Sequence, residues 1–244
     1  PVFSEIGFMS GMSQTDWSWT PLITDFDNDG YRDMIITNGF PKDVSDHDFI
    51  AYRNLSNNNI PLSKLIEKIP VIKLPNYAYK NLNGLQFSDQ SDNWGLTESS
   101  FSNGAVYADL DNDGDQDMVV NNINDKAFLY KNTLRQVNDT ASHFLRVKCI
   151  GDKQNINGLG AWVDIYYGDG QHQVFENTPY RGYLSSNQDI VHFGLGKIKL
   201  VDSVVVRWPG EKKEAIKNVA ADQVLQVKMA DAKESFTWLN NHLV

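Results

Sequence analysis

The sequence predicts a mainly β chain with repeated strand-turn-strand units, a short helical insertion and a separate all-β module at the C-terminal end. Three observations carry that expectation. A nine-residue acidic pattern, flanked by short apolar and β-branched runs, occurs twice. The match between its two copies extends on both sides without a gap. From residue 143 the texture changes to longer alternating runs closed by glycine turns.

The pattern Asp-x-Asp-Asn-Asp-Gly-x-x-Asp runs from Asp25 to Asp33 and again from Asp109 to Asp117. Each copy gathers four carboxylates into one turn: Asp25, Asp27, Asp29 and Asp33, then Asp109, Asp111, Asp113 and Asp117. Unit charges 4 Å apart repel by about 1 kcal/mol in bulk water and by more at a protein surface, so such a knot is expected to surround a cation. Alternate residues of an extended segment project to one side, which lets positions one, three and five face a common centre. Gly30 and Gly114 supply the reversal at position six. The main-chain carbonyls of Tyr31 and Asp115 are expected at position seven, and Asp33 and Asp117 close the shell. Oxygen-only ligands favour calcium, about two ions per chain.

An EF-hand opens the same way but needs a bidentate Glu at position twelve and flanking helices. Position twelve is Ile36 or Val120 here. Leu22-Ile23-Thr24 leads in and Met34-Ile35-Ile36-Thr37 leads out; Val106-Tyr107-Ala108 and Met118-Val119-Val120 do likewise. These runs read as strands, so each loop joins a hairpin, and a dockerin-type helical pair is disfavoured. Every ligand position is filled from within the loop, which favours a structural ion over one that contacts substrate.

The copies lie 84 residues apart, and at that offset Phe3-Ser4 aligns with Phe87-Ser88, Gly11 with Gly95 and Asn38 with Asn122. The unit reads as Tyr77 to Asn81, a turn at Leu82-Asn83-Gly84, Leu85 to Phe87, a polar loop, and the strands into and out of the metal loop. Four short strands per unit suit a propeller blade, and Ala127 to Asn132 begins another unit. An insertion occupies about residues 40–75. Asp46 caps a helix running through Leu55, and Leu62, Leu65, Ile66 and Ile69 recur at helical spacing before Pro70. It reads as padding on the propeller rim, with ligand recognition as the alternative.

On these loops, strands and repeat, residues 1–132 resemble the FG-GAP or VCBS repeats of integrin-like propellers, whose blades carry such hairpin loops. The resemblance implies partial propeller blades over 1–142 and, since such propellers close with about seven blades, a longer parent chain that begins before Pro1.

In the C-terminal part, strands are expected at 143–150, 158–167, 171–175, 190–193, 203–208 and 223–228, with a turn at Gly168-Asp169-Gly170. They describe an all-β sandwich or barrel over 143–230, followed by a tail, 231–244. Asn155 to Ala161, Gly182-Tyr183-Leu184-Ser185, His192 to Gly196 and Val206 to Gly210 make this part similar to the ASPIC/UnbV domain that follows VCBS repeats in cartilage acidic protein-like chains. Such domains usually carry Ser-Gln after the Gly-Tyr pair, whereas this chain has Ser185-Ser186.

Catalytic signatures are missing from the sequence. Gly158-Leu159-Gly160 and Gly194-Leu195-Gly196-Lys197 lack Walker spacing and a following helix, and read as β-turns. There is no Gly-x-Ser-x-Gly elbow and no His-Glu-x-x-His motif. Cys149 alternates with Val147 and reads as a buried thiol, His47 as a solvated helix start, and His192 as a hydrogen-bonded structural histidine. Trp17, Trp19, Tyr77, Tyr79, Trp94 and Phe101 are expected in the core, with a sugar-stacking platform as the alternative.

The formal charge is −9, and two calcium ions would bring it to about −5. That balance argues against nucleic acid. No run approaches the roughly 20 apolar residues of a membrane span. Loops of this kind need more calcium than cytosol offers, which points outside the cell or to its surface, with a bacterial outer-membrane-associated or periplasmic setting as the narrower case. The single cysteine offers no internal disulfide. The expectation is a calcium-binding interaction or adhesion module, not an enzyme, with no organic cofactor and a protein or glycan ligand. The alternatives are a polysaccharide-binding or polysaccharide-acting component with a site in the propeller channel or at the domain junction, and a spacer between other domains.

Overall fold

The computed structural model describes residues 3–56, 60–137 and 141–237. Pro1, part of the insertion at 57–59 and the end of the tail at 238–244 lie outside the described residues.

The chain is mainly β, as its alternating runs require. The first acidic loop joins β1 (Ser18–Thr24) to β2 (Asp33–Asn38) in an antiparallel hairpin with Thr24 opposite Asp33. β3 (Tyr77–Asn81) and β4 (Phe87–Asp89) complete a four-stranded sheet in the order β1-β2-β3-β4. The second loop joins β5 (Ser102–Ala108) to β6 (Asp117–Asn122), and β7 (Phe128–Tyr130) adds a third strand. The repeat reaches the irregularities: register shifts between Ser18 and Pro21 and between Ser102 and Ala105 fall at equivalent positions.

One boundary differs from the sequence reading. The strand Tyr77–Asn81 does not open a unit; it pairs with β2 and so belongs to the sheet of the preceding acidic hairpin. Sequential antiparallel neighbours pair through short links, whereas the polar loop at 90–101 crosses to the next sheet. Among the described residues the second sheet has three strands, and α4 (Leu134–Val137) follows β7 instead of a fourth. Leu22, Phe26, Ile35, Ala78 and Leu96 pack against Ala105, Tyr107, Met118 and Val120, so the two sheets share one core.

A short helix α1 (Gly7–Ser10) precedes β1. In the insertion, Asp46 Oδ1 accepts from Phe49 N over 2.7 Å and caps α2 (His47–Leu55). α3 (Leu62–Glu67) follows, and none of its residues is buried.

The C-terminal module is two open sheets around one core. β10 (Gln171–Glu176), β9 (Trp162–Tyr167), β12 (Leu200–Trp208), β13 (Lys212–Ala220) and β15 (Glu234–Ser235) form one sheet in that order. β11 (Val191–Gly196), β8 (His143–Ile150) and β14 (Gln223–Lys228) form the other, with β14 parallel to β8. Leu145, Val147 and Phe193 from one face meet Ile165, Val204 and Trp208 from the other, which makes a sandwich rather than a closed barrel. Cys149 lies in this core, where burial pushes its thiol up to about 12. The sheet extends to Ser235, into the segment read from sequence as tail.

Candidate metal centres

Each acidic loop is folded by its own carboxylates. Asp25 Oδ1 accepts from Asp29 N (3.1 Å) and its Oδ2 from Gly30 N (2.7 Å); Asp109 accepts from Asp113 N (3.1 Å) and Gly114 N (3.0 Å) in the same way. Asp29 Oδ1 takes Tyr31 N and Asp113 Oδ1 takes Asp115 N. Asp33 bridges Phe26 N and Asn81 N, both at 2.9 Å, while Asp117 bridges Leu110 N and Asn132 N. Gly30 and Gly114 have φ of 99° and 97°, as position six requires. Asn28 and Asn112 take the left-handed region at position four, where asparagine is tolerated.

These turns bring carboxylate oxygens of Asp25, Asp27 and Asp29 within 4.8 Å of one another, and likewise those of Asp109, Asp111 and Asp117. Asp33 and Asp113 stand outside these triads. Tyr31 has an exposed ring, so only its main chain could serve an ion. Asp115 is fully buried, but its carboxylate accepts from Asn28 Nδ2 (3.0 Å) and Arg135 N (2.7 Å), which commits it to linking elements.

The residues fit a hard cation. The donors are all oxygens, the set that suits calcium or magnesium. Asp27 Oδ1 and Asp113 Oδ2 are buried with no hydrogen-bond partner among the described residues, one in each loop. Burial and the charges of Asp33, Asp27 and Asp29 hold the Asp25 carboxyl well above its ordinary range, and burial with Asp27 pushes Asp33 up to about 7. A divalent ion would relieve both penalties. Each loop also holds one ammonium. Lys80 Nζ pairs with Asp27 and lies 3.0 Å from Asp29 Oδ2, and Lys131 Nζ lies 2.6 Å from Asp111 Oδ2.

Both loops sit beneath the C-terminal module. Arg146 on β8 donates from Nη1 to Asp109 Oδ2 over 2.6 Å, with both side chains almost wholly buried. Asn28 Oδ1 accepts from His192 Nε2 over 2.8 Å, and its amide nitrogen reaches Asp115 of the other loop. Burial, reinforced by Arg146, pushes His192 down to about 3, so it is neutral with the proton on Nε2. Gly194 packs so closely on Asp25 that a Cβ there would fall on the carboxylate. Arg32 of the first loop donates to Val174 O and lies 4.8 Å from the Phe175 ring. Asn28, Arg146 and Gly194 carry this junction, and sequence reading singled out none of them for it. The only signal was the Gly194-Leu-Gly196 pair beside His192. His47 is exposed at the start of α2.

The family model described as ASPIC and UnbV matches residues 151–234. The matched segment, similar to that family, runs from the loop after β8 to β15. No curated protein matches the chain.

Proposed function

We propose that this chain is a calcium-stapled binding module of the cell exterior or surface, in which two FG-GAP/VCBS-like propeller blades carry the ASPIC/UnbV-like domain and no catalysis occurs. The carrying observation is that both oxygen clusters lie in the seam: Asp25 faces Gly194 and Asp109 holds Arg146. An ion in each loop would neutralise carboxylates at the base of the C-terminal module and set the spacing of the two hairpins. Asp25, Asp27, Asp29 and Asp33 would hold one ion with the Tyr31 carbonyl. Asp109, Asp111, Asp113 and Asp117 would hold the other with the Asp115 carbonyl. Asn28 ties the two loops to each other and to His192, so the chain's own hydrogen bonds would transmit order from either loop to the seam.

The role of such a rigid seam is to present a fixed surface to a protein or glycan ligand. Calorimetric titration tests the reading. About two calcium ions should bind per chain, with a clear rise in melting temperature, and no binding at millimolar calcium refutes it.

A further inference from the structure

A second feature of the seam lies away from the loops. A cavity of about 340 Å³ opens between the start of β5 and the segment Tyr183–Ser186 of the C-terminal module, within the size range of small-ligand pockets, which favour domain junctions. Its lining includes Tyr183, Ser185 and Ser186 from one module, and Asn103, Gly104 and Asn121 from the other. None of its ten lining residues is charged, in a chain of formal charge −9.

Tyr183 is the one aromatic in the lining, and aromatic rings outside the lining hold it in place. Trp19 donates from Nε1 to Gly39 O over 2.9 Å, which fixes its indole, and the Tyr183 ring lies 4.9 Å from it at 49°. Phe40 and Trp17 extend the series, 5.3 Å apart and stacked. Tyr183 N donates to Thr20 Oγ1 (3.0 Å), which donates to Asn103 O (2.8 Å), so the loop is tied to the blade. At its tip Leu184 holds φ of +47° and is 88% exposed. A bulky residue in that region is strained, and such strain gathers at ligand clamps. The polar groups are amides and hydroxyls, and Asn121 Nδ2 donates to Asn103 Oδ1 over 2.9 Å, which holds the two amides together at the cavity.

We infer that this cavity binds a neutral carbohydrate, with the apolar face of one sugar ring on Tyr183 and its hydroxyls on Asn103, Asn121 and Ser186. A ring with one apolar face and uncharged hydroxyls matches a single aromatic ring, Tyr183, beside amides; an acidic glycan finds no cation in the lining, and a basic peptide no anion. The larger cavity between the blade sheets, about 480 Å³, is a weaker candidate: its two charged residues, Asp27 and Lys131, are already paired. The inference rests on the reading of this chain as a binding module and names the class of ligand.

Saturation-transfer NMR on the full chain in millimolar calcium tests it, with cellohexaose, maltohexaose and mannohexaose as neutral probes and oligogalacturonate as the charged control. At least one neutral probe should receive saturation and the charged one none. Tyr183→Ala should weaken that binding about tenfold, and Asn121→Ala, at an exposed position, severalfold, both with the calcium-induced rise in melting temperature retained. Silence from all three neutral probes, saturation of oligogalacturonate alone, or binding that survives both substitutions overturns it. A normal calcium response with silent sugars refutes the sugar site and leaves the calcium-stapled module standing; loss of the calcium response refutes the module itself.

Discussion

Arg146 of the C-terminal module and Asp109 of the second acidic loop form a buried ion pair, 2.6 Å from Nη1 to Oδ2. Breaking such a pair from one side leaves an uncompensated charge and costs about 3–5 kcal/mol. Arg146→Met should therefore lower stability by that order in chelator. In saturating calcium the loss should be clearly smaller, since the ion would neutralise Asp109 in place of the guanidinium. Urea unfolding under both conditions decides it, and an equal loss in each would show that Asp109 never serves a cation.

Lys80 and Lys131 follow Tyr79 and Tyr130 at matching places in the two sheets, and each pairs with the third-position carboxylate of its loop, Asp27 or Asp111. They hold the oxygens that an ion would take. Lys80→Met should lower the melting temperature of the metal-free chain and tighten calcium binding at the first loop. A half-exposed pair is worth about 0.5–1 kcal/mol, so the gain should be roughly two- to fivefold. Calorimetry reads both sites, and weaker binding in the variant would contradict the competition.

Gly194 has no room for a side chain beside Asp25. Gly194→Ala should destabilise the chain by about 1–3 kcal/mol, the range for overpacking a tight site, and loosen the seam over the first loop. Gly170→Ala is the control: nothing lies near a Cβ there, and only its left-handed φ of +81° is strained. Hydrogen exchange at Gly30 and Tyr31 separates the two, rising in Gly194→Ala alone.

Local chemistry was legible in the sequence, and long-range docking was not. The spacing of Asp25, Asp29 and Gly30 encodes a turn that closes on its own amides, so the loops, their φ values and the strands beside them could be read directly. β13 has no strand signature of its own, because its lysines, glutamate and asparagine leave it without an apolar run. Periodicity places Tyr77–Asn81 at the opening of a unit because it shows where a repeat recurs but not which neighbour each strand pairs with. Asn28 and His192 meet across 164 residues, and neither has a local pattern that announces the other.

Calcium and protons should compete at the first loop. Burial and the Asp27 charge push Asp33 up to about 7 from an ordinary 3.8. Between those values the metal-free folded chain holds a proton that the unfolded chain has released, so this group stabilises the metal-free fold as pH falls from 7 toward 4. Above 7 the carboxylate is ionised in both states, its burial is unfavourable, and calcium has most to neutralise. His192 acts in the opposite sense: neutral in the fold down to about 3 and protonated when unfolded below its ordinary 6.5, it withdraws stability as pH falls through that window. Melting temperature alone therefore mixes these groups with Asp25, whose carboxyl is raised in the same sense as Asp33. The difference between melts with and without calcium cancels His192, and it should shrink from pH 7.5 to pH 5. A difference that stays constant across that range would mean that Asp33 is ionised throughout and that its carboxylate is not contested by the ion.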